Sequence, residues 1–216
     1  MKLFNILTAA EAKKIFDWSE SQQFQDGKET AHGKAKDIKD NEQLGAANPQ
    51  VKKWIEQIKV RFLTDPTLRA FTQAQEFVGM RINSYKTAQK YDWHVDMGIM
   101  SGVRTDMSFT VFLTPKSEYE GGVLEINHGS HIVKIKGEVG QVVVYPTGLL
   151  HRVTPVTSGR RICFIGWIKS NIPAQDDREA LFTLAAEIGR LKEVHGDKDS
   201  DKLSYVLQHM TRALAR

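Results

Sequence analysis

The chain has 216 residues, 41% of them hydrophobic and 26% charged, enough to bury a substantial core as one globular domain or a domain with an added subdomain. No apolar run approaches the length of a membrane span, and the opening residues 1–8 are too short for a signal peptide and are closed off by Glu11, so neither segment is expected. The formal charge of +4 is spread along the chain, and its densest basic spots, Lys34-Ala35-Lys36 and Lys52-Lys53, carry no interleaved aromatics, which argues for solvated faces rather than a nucleic-acid surface.

The first predicted element is a helix. Thr8 and Glu11 have capping-box spacing, and Ala12, Ile15, Phe16 and Trp18 give an apolar face through about Glu20. Residues 24–44 are polar and rich in turn formers, without a clear local pattern. A second helix starts at Asn48-Pro49, with Val51, Trp54, Ile55, Ile58 and Phe62 at spacings of three and four. A short third helix covers 66–72. From Phe77 the period becomes that of strands, predicted over 77–85, 93–97, 106–113, 122–126, 131–135, 141–145 and 161–168, with glycine-containing turns between several of them. The single cysteine, Cys163, lies in the last strand, where a packed thiol is expected; one cysteine excludes an internal disulfide and fits a reducing cytoplasm. Two amphipathic helices follow over 178–192 and 203–214. This order predicts an α+β fold with a double-stranded β-helix (jelly-roll) core, an N-terminal helical layer and a small C-terminal helical subdomain. The expected boundaries are 1–76, 77–170 and 171–216.

Chemistry concentrates in Tyr91-Asp92-Trp93-His94-Val95-Asp96 and in Leu150-His151-Arg152. Side chains at i and i+2 of a strand share a side, so His94 and Asp96 can hold one metal ion. His151, which follows the β-branched run ending at Tyr145-Pro146, can supply a third ligand. Two imidazoles and one carboxylate on one face of an octahedral ion leave three positions open, the donor set of non-haem Fe(II) oxygenases. A bidentate 2-oxo acid can take two of those positions and O2 the third. The acid's far carboxylate then needs a cation, for which arginine offers a planar fork of donors. Arg160 and Arg161 stand nine and ten residues after His151, and alternation does not choose between them, because both faces of their strand are apolar. A second His-x-Asp, His195-Gly196-Asp197, falls in a polar linker between two helices and is expected to be a solvated turn.

Taken together, Tyr85-x5-Tyr91-x2-His94-x-Asp96, Arg104-Thr105-Asp106-Met107-Ser108, Glu118-Tyr119-Glu120-Gly121-Gly122, Tyr145-Pro146 and His151-Arg152-Val153-Thr154-Pro155-Val156-Thr157-x-Gly159-x-Arg161 resemble the bacterial PKHD-type hydroxylases, which are prolyl-4-hydroxylase-like Fe(II)/2-oxoglutarate-dependent dioxygenases. The resemblance reaches upstream to Asp26-Gly27, Thr30-Ala31 and Lys39 with Asn41, and downstream to Arg178-Glu179-Ala180-Leu181-Phe182, covering nearly the whole chain. It implies that His94, Asp96 and His151 bind Fe(II) as the catalytic centre, that Arg161 binds the distal carboxylate of 2-oxoglutarate, and that Tyr85 lies in the cosubstrate pocket. It also implies O2 as co-reactant, ascorbate as reductant, and hydroxylation of an unactivated C–H bond in a peptide or small-molecule substrate with release of succinate and CO2.

No nucleic-acid or membrane partner is expected, and the C-terminal helices are free either to cover the barrel or to pair with a second subunit. The competing reading is a non-catalytic jelly-roll module that binds a metal or ligand, which predicts binding without succinate release. Ala88 departs from the resemblance, standing where glycine is frequent, as does His32, within a segment that commonly reads Thr-Ala-Gly. Substrate contacts are expected in the loop 97–103 and in the unassigned N-terminal segment.

Overall fold

The computed structural model describes residues 1–30, 33 and 35–216, with the backbone alone for 198 and 199; the departure at His32 falls outside the described residues. The elements preceding the predicted strands are β1 (Lys2–Asn5), α1 (Ala9–Glu20), β2 (Gln25–Asp26), α2 (Ala35–Ile38), β3 (Lys39–Asp40), β4 (Glu42–Gly45), α3 (Pro49–Thr64) and α4 (Pro66–Thr72). The strand region comprises β5 (Ala74–Tyr85), β6 (Lys90–His94), β7 (Ile99–Met100), β8 (Val103–Arg104), β9 (Met107–Phe112), β10 (Tyr119–Gly121), β11 (Leu124–Asn127) and β12 (Ile132–Ile135). It continues through β13 (Gln141–Pro146), β14 (His151–Val153), β15 (Val156–Gly159) and β16 (Arg161–Ser170) before α5 (Gln175–His195) and α6 (Asp197–Leu214).

The helices begin where their side chains can satisfy the free N–H groups of a first turn. Thr8 and Glu11 form the capping box in both directions, Asn48 accepts from Gln50 and Val51 ahead of α3, and Asp65 accepts from Thr67 and Leu68 ahead of α4. Each such cap contributes about 1 kcal/mol. The apolar stripes of these helices, among them Ile15, Trp54, Ile58, Phe62 and Leu68, are buried in one cluster with Ile82, Phe109, Val111, Val144 and Phe164 of the seven-stranded sheet β1-β13-β9-β16-β5-β4-β2. The other face of that sheet, through Tyr85, Phe112, Val143, Tyr145 and Cys163, is buried with Leu124, Ile126, Ile135 and Val153 of the five-stranded sheet β12-β11-β14-β6-β3. Strand β13 makes the reason visible. Val142 and Val144 belong to the helical side and Val143 and Tyr145 to the inter-sheet side, so a strand covered on both faces reads as one continuous apolar run. Two antiparallel sheets face to face, backed by helices, form the expected jelly roll.

Several local expectations need correction. The tract 24–47 supplies β2, β3 and β4: β4 joins β5 in one sheet and β3 joins β6 in the other, so the segment widens both sheets at the same edge. Strand β6 ends at His94, short of the predicted 97, so Asp96 lies beyond it. His151 does not hang from the end of β13; it opens β14, which belongs to the other sheet. Helices α5 and α6 run to His195 and from Asp197, leaving Gly196 alone between them. The helical pair is tied to the helical layer by the edge-on contact of Phe182 with Phe71, 5.2 Å between centroids. Among the described residues, no helix is long and apolar enough to cross a membrane.

Candidate active site

Strand β14 lies between β11 and β6, and its register sets His151 directly across from His94. In both residues Nδ1–H donates to the backbone carbonyl two residues earlier, His94 to Asp92 at 2.7 Å and His151 to Leu149 at 2.9 Å. These bonds fix the tautomer and leave each Nε2 lone pair free. The Asp96 carboxylate returns from the loop toward both rings, Oδ1 lying 3.7 Å from His94 Nε2 and Oδ2 3.5 Å from His151 Nε2. One ligand atom from each of the three residues lies within 4.8 Å of the others. Burial, then the adjacent His151, pushes the His94 imidazole down to about 4, keeping it in the neutral form that ligates metals. Tyr91 stacks on the His94 ring, 3.5 Å between centroids and 14° apart in plane, which holds the ring's orientation.

Asp96 is positioned from the facing sheet. Ser108 on β9 donates its hydroxyl to Oδ2 at 2.8 Å, and Trp167 on β16 donates its indole N–H to the same oxygen at 2.9 Å. The following turn is pinned by Thr105, whose hydroxyl and N–H donate to the carbonyls of Met97 and Gly98. Trp167 in turn needs Gly79. The β5–β16 register slips between Ile165 and Trp167, and a Cβ at Gly79, which has φ +65°, would lie 2.8 Å from the Trp167 ring. Glycine thus supplies both the bulge and the space.

Arg161 lies at the other end of the same strand face, 2% exposed. Its register partner is Tyr85, whose ring and that of Phe112 flank the guanidinium at 5.3 and 5.9 Å. Nη1 donates to Cys163 Sγ at 3.0 Å, while Nε has no partner among the described residues. Among the described residues no carboxylate pairs with it. Burial pushes the Cys163 thiol up, so the thiol is a neutral acceptor and does not cancel the charge. A close approach at Gly122, where a Cβ would sit 3.0 Å from Arg161 Cδ, seats the side chain. Arg160 points elsewhere: its Nε donates to Ser84 at 2.8 Å and the guanidinium lies over Phe24. A buried cation without a counter-ion costs several kcal/mol, and this one lines the same cavity as the His and Asp cluster.

A cavity of 280 Å³ joins these groups, lined among others by His94, Asp96, His151, Arg161 and Tyr85. Two further cations in its wall escaped the sequence reading. Lys39, 4% exposed, donates to Thr30 at 3.0 Å, and burial brings its ammonium down to about 8. Arg81, half-buried, lies with its guanidinium 5.0 Å from the Trp167 ring, its Nε without a partner among the described residues. Arg81 was detectable, since it shares the i, i+2, i+4 face of β5 with Asn83 and Tyr85. Periodicity could not point to Lys39, because a two-residue strand has no period, and the resemblance that reached it gave it no role. His195 and Asp197 end one helix and begin the next, both exposed, and join no ligand cluster among the described residues.

Two sheets enclosing a His, Asp, His cluster beside an unneutralised arginine define a class, and residues 80–169 match the 2OG-Fe(II) oxygenase superfamily. The sequence is 37% identical to a PKHD-type hydroxylase of Alteromonas mediterranea across 98% of this chain and 96% of that protein. It is 32% identical to one of Idiomarina loihiensis across 98% and 97%. The fold is similar to the crystal structure of a Pseudomonas putida prolyl-4-hydroxylase, with a TM-score of 0.55 at 15% identity over 78% of this chain and 91% of that one. The chain belongs to the PKHD-type hydroxylase family and is a 2-oxoglutarate-dependent dioxygenase. Membership implies Fe(II), 2-oxoglutarate and O2. The two imidazoles, each with its Nε2 turned toward the carboxylate of Asp96, fit a ferrous ion, and the guanidinium without a described carboxylate partner fits a dicarboxylate.

Proposed function

We propose that His94, Asp96 and His151 hold Fe(II), that Arg161 anchors the distal carboxylate of 2-oxoglutarate beside Tyr85, and that the enzyme hydroxylates an unactivated C–H bond of a peptide or small-molecule substrate, releasing succinate and CO2. One observation carries this reading: three donor atoms within 4.8 Å of one another share a cavity with a buried, unpaired arginine. Bound iron supplies the dioxygen chemistry. The chain's part is orientation, charge placement and exclusion of water. The carbonyls of Asp92 and Leu149 hold both imidazoles in the ligating tautomer, and Ser108 and Trp167 occupy Oδ2 of Asp96, leaving Oδ1 free of hydrogen-bond donors. Asp96 removes one charge from the ion and the imidazoles none, so a 2-oxoglutarate dianion is accepted, with Arg161 balancing its far end. Burial raises the Tyr91 phenol to about 12 and Tyr85 higher still, so both stay protonated and add no negative charge. Ascorbate is the proposed reductant.

The test is succinate formation from 2-oxoglutarate with Fe(II), ascorbate and candidate substrates. His94→Ala and Asp96→Ala abolish substrate-dependent succinate, whereas Asp197→Ala retains it. Equal loss in all three contradicts the site, and tight binding by the wild type without succinate supports the non-catalytic alternative.

A further inference from the structure

The chemistry above leaves Lys39 and Arg81 without a task. Both side chains line the cavity, and no described carboxylate lies within ion-pair distance of either. Among the described lining residues Asp96 is the one acidic group, against the three cations Lys39, Arg81 and Arg161. Once Asp96 and a 2-oxoglutarate dianion offset a ferrous ion and Arg161, two positive charges remain unmatched. Lys39 is buried and Arg81 half-buried in the same wall, and two like charges held out of water beside each other repel without an anion between them. The Lys39 ammonium and the Arg81 Nε are both shielded from solvent.

Position separates this pair from the cosubstrate end. On the β5–β16 ladder Tyr85 faces Arg161 and Arg81 faces Ile165, so four residues at roughly 3.3 Å each set Arg81 about 13 Å along the strand from Tyr85. Trp167 links Arg81 to the metal-binding cluster, donating to Asp96 while its ring packs under the guanidinium. Beside this end of the cavity stand the exposed apolar side chains of Val95 and Met97, 52% and 53% accessible. A planar guanidinium with an ammonium nearby is a carboxylate receptor, and an apolar rim suits an organic body.

We propose that Arg81 and Lys39 form the anion site for the primary substrate, which therefore carries a carboxylate close to the C–H bond that is oxidised. The inference rests on the cavity being the active site as proposed above. A small organic acid and an acidic peptide side chain share this chemistry, and the test separates them.

Full-length protein loaded with Mn(II) and 2-oxoglutarate, so that no turnover occurs, is titrated calorimetrically with hexanoate and hexanamide, and with acetyl-Ala-Glu-Ala-amide and its Gln twin. At least one acid binds and its amide does not, and Arg81→Gln or Lys39→Met weakens that acid at least tenfold while altering 2-oxoglutarate affinity less than twofold. Arg81→Lys retains part of the acid binding, and Lys39→Met carries the test if Arg81→Gln does not fold. Hexanoate alone binding assigns a small-molecule acid; the peptide alone assigns an acidic peptide. The proposal is overturned if neither acid binds, if acid and amide bind equally, or if both neutral variants leave acid binding unchanged. It is also overturned if Arg81→Gln removes 2-oxoglutarate binding, which would give these cations to the cosubstrate. Failure of the wild type to take up Mn(II) and 2-oxoglutarate is a different result and sinks the underlying assignment as well.

Discussion

Asp96 is where neighbouring side chains act most directly on the chemistry. It stands outside any strand, so its carboxylate depends on Ser108 and Trp167, 12 and 71 residues away in sequence. The His94-x-Asp96 spacing made the candidate ligand pair legible, but no local pattern could point to either hydrogen-bond donor. Trp167→Phe keeps an aromatic ring at this position and removes the indole N–H together with the second ring, so Ser108→Ala, which removes the other donor to Oδ2 without touching that packing, is measured beside it. The expected result is roughly a tenfold or greater loss of metal affinity, in line with other outer-sphere contacts, measured by Mn(II) titration with the circular dichroism spectrum unchanged. Unaltered affinity would mean that Ser108 alone holds the carboxylate.

At the scale of elements, the β5–β6 turn carries a residue chosen against its conformation. Ala88 has φ +72°, a region that costs a non-glycine residue about 1–2 kcal/mol, and its N–H donates to Val156 at 2.8 Å while Val156 N–H returns to Gln89 at 3.1 Å. The hydrogen bonds hold the turn in the shape that glycine takes without strain. Ala88→Gly therefore raises unfolding free energy by about 1 kcal/mol, less whatever glycine adds to the entropy of the unfolded chain. Urea unfolding reads this as a higher midpoint at constant slope, and a lower midpoint would refute it. The same scale explains what was missed in the sequence. Helices α1 and α3 announce themselves through caps and a 3.6-residue period repeated over several turns, whereas β2 and β3 are two residues each and exist only because longer strands beside them offer free edges.

Ligand binding should register in the stability of the whole molecule if Arg161, a buried charge with no carboxylate partner among the described residues, takes the proposed anion. With Mn(II) present, 2-oxoglutarate at one hundred times its dissociation constant adds about 2.7 kcal/mol, or roughly 5–11 °C in melting temperature for a chain of this size. In Arg161→Gln the increment from Mn(II) persists and that from 2-oxoglutarate disappears, as read by differential scanning calorimetry. A 2-oxoglutarate increment equal to that of the wild type would remove Arg161 from the cosubstrate site.

By itself the sequence determined what is written in local periodicity and spacing: the helical layers and their caps, the long buried strands, the jelly-roll class, and the His-x-Asp pair with a later His. Tertiary structure decided which side chains meet. It set His151 across from His94 by giving His151 a strand of its own, turned Arg161 into the cavity and Arg160 out of it, and brought Lys39 and Arg81 to one wall. The physical reason is that backbone pattern acts over a few residues, whereas strand register and sheet packing select partners by burial and charge regardless of their distance along the chain.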